Sequence, residues 1–233
     1  MTDLVLLVPS RGRPDKITRL VEACERTCTA DTALVFGFDN DDPRLQANIL
    51  AADGAMIHVA ARKGLGGTTN DLWSIYGTAP YTGSIGDDMV PVTPGWDARL
   101  MEACGPCGMA YPRDGRRDDI PEIIVMTSDI PAALGWVCEP TLTHWYVDNV
   151  WSDLGRAAGC ITYCADVLVE HRHPNVPGGD SPDGTYSDAA SRYAADLAAY
   201  QRWRLGRMAA DIRTVRGVRE AAGDPLRHAG SPS

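Results

Sequence analysis

Gly83-Ser84-Ile85-Gly86-Asp87-Asp88-Met89-Val90-Pro91 is the stretch on which the reading of this chain turns, with Pro94-Gly95-Trp96-Asp97 close behind it. Two neighbouring carboxylates follow a glycine and lead into an apolar, proline-punctuated run. That is the pattern of a short strand whose backbone turns outward at its end, the edge where α/β sheets keep their ligands. Ionised carboxylates only accept hydrogen bonds, and two in succession repel unless a cation or a set of donors holds them. A hard divalent ion shared with a diphosphate meets that need, because magnesium-like ions combine one or two protein carboxylates with phosphate oxygens. A solvated turn is the alternative for an isolated Asp-Asp pair, so the flanking segments must decide.

Upstream, Leu4 to Val8 is a continuous apolar run, as a central parallel strand requires. Pro9-Ser10-Arg11-Gly12-Arg13-Pro14 ends it, and Ile17, Leu20, Val21 and Cys24 then mark one face of a helix. Strand, glycine-containing loop and helix form the outline of a phosphate site, with Arg11 and Arg13 able to fork onto phosphate oxygens; a plain solvated turn is the competing reading. Ala33 to Phe38 is a second strand ending in Asp39-Asn40-Asp41-Asp42. Asp39 is assigned to a base or ribose, and Asp41 and Asp42 to capping the helix of residues 44–52. Met56 to Ala60 is a third strand. Residues 62–70 read as a flexible basic loop whose Lys63 and amides face a diphosphate, or as a simple turn, before a helix from Asp71 to Tyr76.

Downstream, Trp96 to Ala103 reads as a helix and residues 105–122 as a loop over the sheet edge. Ile123 to Met126 is a strand, Asp129 caps a turn of helix ending at Gly135, and Thr143 to Asp148 leads into a helix through Val150, Trp151 and Leu154. Ile161 to Val169 is a final strand delivering His171 and His173. Residues 175–188 are loop-like and 189–218 an amphipathic helix or helix pair, with a frayed tail from Gly223. The expected organisation is one α/β domain over residues 1–188 with a helical extension over 189–233.

Composition narrows the class. The chain has 233 residues, 44% of them hydrophobic, enough for one large domain with a full core. No apolar run approaches the roughly 18 to 20 residues that span a bilayer, and Leu4 to Val8 follows Asp3 rather than a basic leader. A net charge of −9 argues against a general nucleic-acid binder. Seven arginines among residues 200–233 nevertheless oppose only Asp211, Glu220 and Asp224. They are read either as a surface for an acidic partner or as a solvated helix face. An odd count of seven cysteines without an export signal favours reduced thiols. Cys104-Gly-Pro-Cys107 has thioredoxin-type spacing, but Cys104 falls at a helix end where the redox motif needs a helix start.

VPSRGRP after strand one, FDNDDP after strand two, IGDDM, PGWD, LGW, HWYVDNVW and VEHRHP, in that order, resemble the GT-A glycosyltransferases. The resemblance is nearest to the small family 2-like enzymes encoded by bacteriophages. It implies a Rossmann-like nucleotide-diphospho-sugar transferase fold, a divalent metal (Mn2+ or Mg2+), and a UDP- or GDP-sugar donor bound by Pro9, Ser10, Arg11, Arg13, Asp39, Lys63 and Asp87. It puts Asp88 on the metal with Asp87 beside it as ribose or metal ligand, although the usual D-x-D reads Gly86-Asp87-Asp88 here. His171 completes the metal site, with His173 the alternative. Asp148 is similar in position to the base of inverting members, against a plain N-cap, and Trp136 and Trp145 offer faces for a sugar, against core packing. The acceptor is expected to be a virion protein or a modified DNA base, with no membrane, in a cytoplasmic setting (the host's if phage-encoded). A nucleotidyltransferase of similar fold and a non-catalytic sugar-nucleotide-binding protein are the rivals.

Overall fold

The computed structural model describes residues 1–181 and 183–223. β1 (Leu4–Ser10) is an interior strand, with Leu4, Leu6 and Val8 buried in one apolar cluster and Val5 and Leu7 in another. Side chains alternate across a strand, so a continuous apolar run demands cover on both faces. On one face, α1 (Pro14–Thr27) supplies Ile17, Leu20 and Cys24, and α4 (Trp96–Cys104) supplies Trp96 and Leu100. On the other, α3 (Gly64–Tyr76) brings Leu72, and α6 (Val147–Ala158) brings Val150, Trp151 and Leu154. Leu4, Leu6 and Leu7 are fully buried, so truncating any of them to Ala costs about 2–5 kcal/mol.

β2 (Thr32–Asp39), β3 (Met56–Ala60) and β4 (Tyr81–Ser84) lie parallel to β1 or its neighbour. β5 (Met89–Pro91), β6 (Met109–Arg113), β7 (Ile124–Thr127) and β8 (Ile161–His171) complete an eight-stranded sheet of order β3-β2-β1-β4-β7-β6-β8-β5. β7 is antiparallel to β4 and β5 is antiparallel to β8. α2 (Leu45–Ala51) and α5 (Asp129–Leu134) are short. Asp42, the expected cap of α2, accepts from the Arg44 amide and from Asn48, whereas Asp41 pairs with Arg11. Asp129 opens α5 without a side-chain cap, and Gly135 closes it in the left-handed conformation.

Two expectations change and a third holds. Residues 62–70 are not a loop, because α3 begins at Gly64. Its glycines are there for contact: a Cβ on Gly66 would sit 2.4 Å from the Leu142 carbonyl oxygen, and the Gly66 amide donates to Thr143 O. Residues 105–122 contain β6, an interior strand bonded to β7 over Met109 and Ala110 and to β8 along its length, with a register shift at Pro112/Arg113. Proline has no N–H to donate and glycine punctuates, so the stretch carries loop signals in a strand. Cys104 ends α4, is buried and donates its S–H to Val125 O; burial pushes its thiol pKa up, opposite to a redox cysteine.

The C-terminal helices belong to the same core. α7 (Gly184–Gly206) starts before the expected boundary at 188/189, and α8 (Met208–Ala221) packs back on α5 and α6. Ala199, Trp203 and Val215 share one buried cluster with Val5 and Leu7. Of the six described arginines in the basic segment only Arg219 is buried, and most of the others are tied to the fold from its surface. Arg219, only 2% exposed, donates to Ala158 O, and Arg216 donates to Ala157 O, so both satisfy carbonyls at the C-terminus of α6. Arg204 pairs with Asp153, and Arg207 lies near Glu139 and Asp211. Arg202 and Arg213 are exposed, as are the paired Arg204, Arg207 and Arg216, while Arg227 and the expected frayed tail lie almost wholly outside the described residues. Among those residues no helix is long and apolar enough to cross a membrane.

Candidate active site

Because β1, β2, β3 and β4 run the same way, their C-terminal ends open onto one edge of the sheet. There Pro9, Ser10, Arg11 and Arg13 after β1, Asp39 after β2, Arg62 after β3, and Ile85 to Asp88 after β4 line a cleft of about 280 Å³. Trp145 and Asp148 at the start of α6, and His171 and His173 at the end of β8, complete it.

Asp87 and Asp88 have separate tasks. Asp87, 3% exposed, accepts from Ser10 Oγ at 2.5 Å and from Arg13 at 2.9 Å. Burial works against the Arg13 cation, but Asp87, Asp183 and Asp88 more than offset it and raise its pKa further. Asp87 thus anchors the loop after β1 while also lining the cleft. Asp88 is the carboxylate that faces a partner across the cleft: its Oδ1 lies 3.5 Å from His171 Nε2. Backbone pairing sets this up, since Met89 stands opposite His171 and the Arg172 amide donates to Asp88 O at 2.9 Å.

The other side of His171 was not foreseen. Its Nδ1 is 2.5 Å from Glu122 Oε2, and Glu122 also pairs with Arg116. Burial lowers the histidine pKa, but hydrogen bonds to Asp88 and Glu122 reverse this and push it up to about 9. Glu122 is pushed upward by burial and brought below its usual value by His171. Behind it Asp114 Oδ1 accepts from the Arg116 and Arg117 amides, while burial raises its carboxyl to about 6. Ligand atoms of Asp114, Glu122 and His171 lie within 4.8 Å of one another. Asp114 is outside the cleft lining, however, so Asp114 and Glu122 back the ring while Nε2 faces Asp88. One imidazole nitrogen fixed by a carboxylate and the other aimed at a second carboxylate is the donor set of a ligating histidine. Asp88 and His171 therefore fit a divalent metal. His173 meets His171 edge-on at 5.2 Å, and its Nδ1 accepts from the Asn175 amide.

Asp148 sits in the first turn of α6, where Tyr146, not Asp148, holds the N-cap position. Its Oδ1 accepts from the Asn149 amide. A helix N-terminus favours the ionised form, yet burial prevails and raises the carboxyl to about 6. Trp145, 37% exposed, lies on the cleft wall, whereas Trp136, 3% exposed, is a core residue away from it. Lys63 likewise turns out of the cleft to Asp71 at 2.7 Å, and Arg62 takes the inward position with its Nε 3.6 Å from Asp39. Asp39, 8% exposed, accepts from Arg11 at 3.0 Å. The segment from Thr143 to Trp145 is clamped by buried Asp196 of α7, which accepts all three amides.

Carboxylates from residues 180–188 cover the cations of the cleft and of α1 beside it. Asp183 grips Arg13 with two bonds of 2.8 and 2.9 Å and lies 3.4 Å from Lys16. Asp180 grips Arg19 in the same forked way, and Asp188 meets Arg62 at 2.5 Å.

No protein-family model matches this sequence, and no curated protein matches it. Solved structures do. The mannosyltransferase PcManGT from Pyrobaculum calidifontis, in complex with GDP-Man and Mn2+, aligns with a TM-score of 0.63 at 11% identity, over 98% of this chain and 76% of its own. S. aureus TarS 1-349 in complex with UDP aligns with a TM-score of 0.57 at 12% identity, over 72% of this chain and 60% of its own. A further structure of TarS 1-349 gives 0.58 at 11% identity, over 94% and 91%. The chain thus spans less than two thirds of the UDP-bound TarS. It has the α/β fold of these glycosyltransferases, and at 11–12% identity the likeness is one of fold.

Proposed function

We propose that this chain transfers a sugar from a nucleotide-diphosphate sugar to an acceptor hydroxyl, with inversion, using a divalent metal held by Asp88 and His171. The observation that carries the reading is the Asp88–His171 pair, 3.5 Å apart in a cleft that also presents Arg11, Arg13 and Arg62. The structural neighbours in complex with UDP, or with GDP-Man and Mn2+, support the donor class and the metal.

When bound, Mn2+ or Mg2+ would neutralise the charge that builds on the leaving diphosphate. The chain's own residues do the rest. Arg13 and Arg62 meet phosphate oxygens with forked donors, and Asp39 accepts from N–H or O–H groups of the nucleoside. Asp148 takes the proton of the attacking hydroxyl, a role that a carboxyl raised to about 6 by burial suits better than an ordinary one. The test is thermal stabilisation by UDP- and GDP-sugars with and without Mn2+, since a ligand that binds only the folded state raises its stability. Stabilisation that needs both nucleotide and metal is expected; none with either sugar nucleotide would remove the reading.

A further inference from the structure

We propose that the wall leading out of the cleft is the acceptor subsite and takes an uncharged carbohydrate, seated on a ladder of aromatic rings whose exposed members are Trp145 and Tyr193. The proposal rests on the transferase reading above and names the acceptor class of that same site.

The ladder is continuous with the cleft. Trp145 is on the cleft wall, as is Arg192, the residue before Tyr193. Tyr193 meets Trp145 edge to face, with centroids 5.5 Å apart at 79°, and meets Tyr146 at 5.7 Å. Tyr146 in turn stacks on Tyr200 at 4.9 Å and 14°. Ala189 and Trp203 of the same stripe on α7 are buried, whereas Tyr193 is 45% and Trp145 37% exposed. A core-forming stripe that leaves Tyr193 in water, beside the exposed Trp145 and next to a cleft, forgoes burial that the rest of the stripe obtains.

The rings are fixed at their polar ends. Trp145 Nε1 donates to Ala189 O at 2.6 Å, the Tyr146 and Tyr193 hydroxyls share a bond of 2.7 Å, and Tyr200 donates to Asp153 at 2.6 Å. With these groups committed, ring faces and edges are what the ladder offers, oriented before a ligand arrives. Tyr146 is also the one non-glycine with positive φ among the described residues, at 69°. Strain of that kind persists where the surroundings over-determine it, and here it lies between the ladder and Asp148.

The chemistry of the surface selects the ligand. Aromatic faces are electron-rich, and the C–H face of a pyranose presents weakly positive hydrogens to them. A single nucleic-acid strand would stack bases on such rings only beside a basic groove tracking its phosphates. Asp148 acts on Tyr146 and Tyr200, Arg204 over Tyr200 is paired with Asp153, and the net charge is −9. Among the described residues Arg192 is the one cation of the cleft wall next to Tyr193, so no basic groove tracks the rings.

The experiment titrates wild type, Tyr193→Ala and Tyr193→Phe with maltotriose, cellotriose, chitotriose and mannotriose, and with hexathymidylate, reading saturation transfer from protein to ligand protons. Position 193 is exposed and helical, and melting temperatures of both variants check that they fold. At least one trisaccharide should bind wild type, with Kd about tenfold higher in Tyr193→Ala and within about twofold in Tyr193→Phe. Absence of binding by all four trisaccharides, equal binding by Tyr193→Ala, or tighter binding of hexathymidylate would each overturn the proposal. UDP and GDP with Mn2+ are titrated on the same wild-type sample. Their failure to bind while a trisaccharide binds would overturn the acceptor role and the transferase reading, leaving a carbohydrate-binding surface.

Discussion

The Asp88 carboxylate and His171 Nε2 face each other at 3.5 Å because the backbone bond from Arg172 N to Asp88 O holds their strands in register. The fold therefore does not depend on the side-chain pair. Asp88→Ala should keep its secondary structure and lose Mn2+-dependent stabilisation by UDP- or GDP-sugars. Retained metal-dependent stabilisation in that variant would sink the metal assignment.

Metal binding should compete with a proton. Without metal, His171 is protonated up to about pH 9. A ligating imidazole must be neutral, so Mn2+ affinity should rise about tenfold per pH unit as pH climbs towards that value. The sign for stability is opposite: a pKa raised above the unfolded one gives stability that is full below about 6.5 and lost as pH rises through about 9. In EDTA the melting temperature should fall across that window, and Mn2+ should restore it. An affinity independent of pH between 6 and 9 would contradict this.

Glu122 positions His171 from behind. Glu122→Gln should weaken Mn2+ binding by about tenfold or more, while an unrelated exposed change such as Arg202→Gln leaves it alone. Isothermal titration at pH 8 measures both, and equal affinities for Glu122→Gln and wild type would leave Glu122 a merely structural partner.

Asp148→Asn should slow transfer by about 10²-fold or more with donor affinity near wild type. Wild-type turnover should fall as pH drops below about 6, where Asp148 takes up a proton. Its raised pKa is a stability gain below the unfolded value, lost as pH rises through about 6, so at pH 7.5 the ionised group is a burden. The variant should therefore melt about a few degrees higher there. A preserved rate would reduce Asp148 to a bystander.

Arg219→Ala should destabilise by about 1.5–3 kcal/mol, since a buried charged donor to Ala158 O is lost, while Arg213→Ala should stay within about 0.5 kcal/mol. Urea unfolding of the pair decides whether the C-terminal arginines are structural.

Where side-chain pattern and backbone demand agree, the sequence was a sufficient guide. The apolar run of β1, the Asp88 turn and the delivery of His171 by β8 are of that kind. α3 was hidden because Gly66 lowers helix propensity locally, while its reason for being glycine, the Leu142 carbonyl, lies far along the chain. β6 was hidden by Pro112 and its charged surroundings. Glu122 therefore looked like part of a surface loop, and only its bond to His171 Nδ1 shows that the β6–β7 connection stands behind the histidine. Trp136 and Trp145 are alike as residues; tertiary packing sends one to the core and the other to the cleft. Lys63 and Arg62 differ for a similar reason, since the start of α3 at Gly64 decides which points inward.

The forked bonds from Arg13 to Asp183 and the bond from Arg62 to Asp188 make the cleft an ion exchanger already loaded with its own counterions. A phosphate arriving there would swap one anion for another, and the number of ion pairs would barely change. Added salt weakens the internal pairs and the new ones together, so affinity for an anionic ligand should vary with ionic strength far less than a count of arginines suggests. A phosphate that took over these arginines would release Asp183 at the N-cap of α7 and Asp188 in its first turns, and so would couple occupancy of the cleft to the start of that helix.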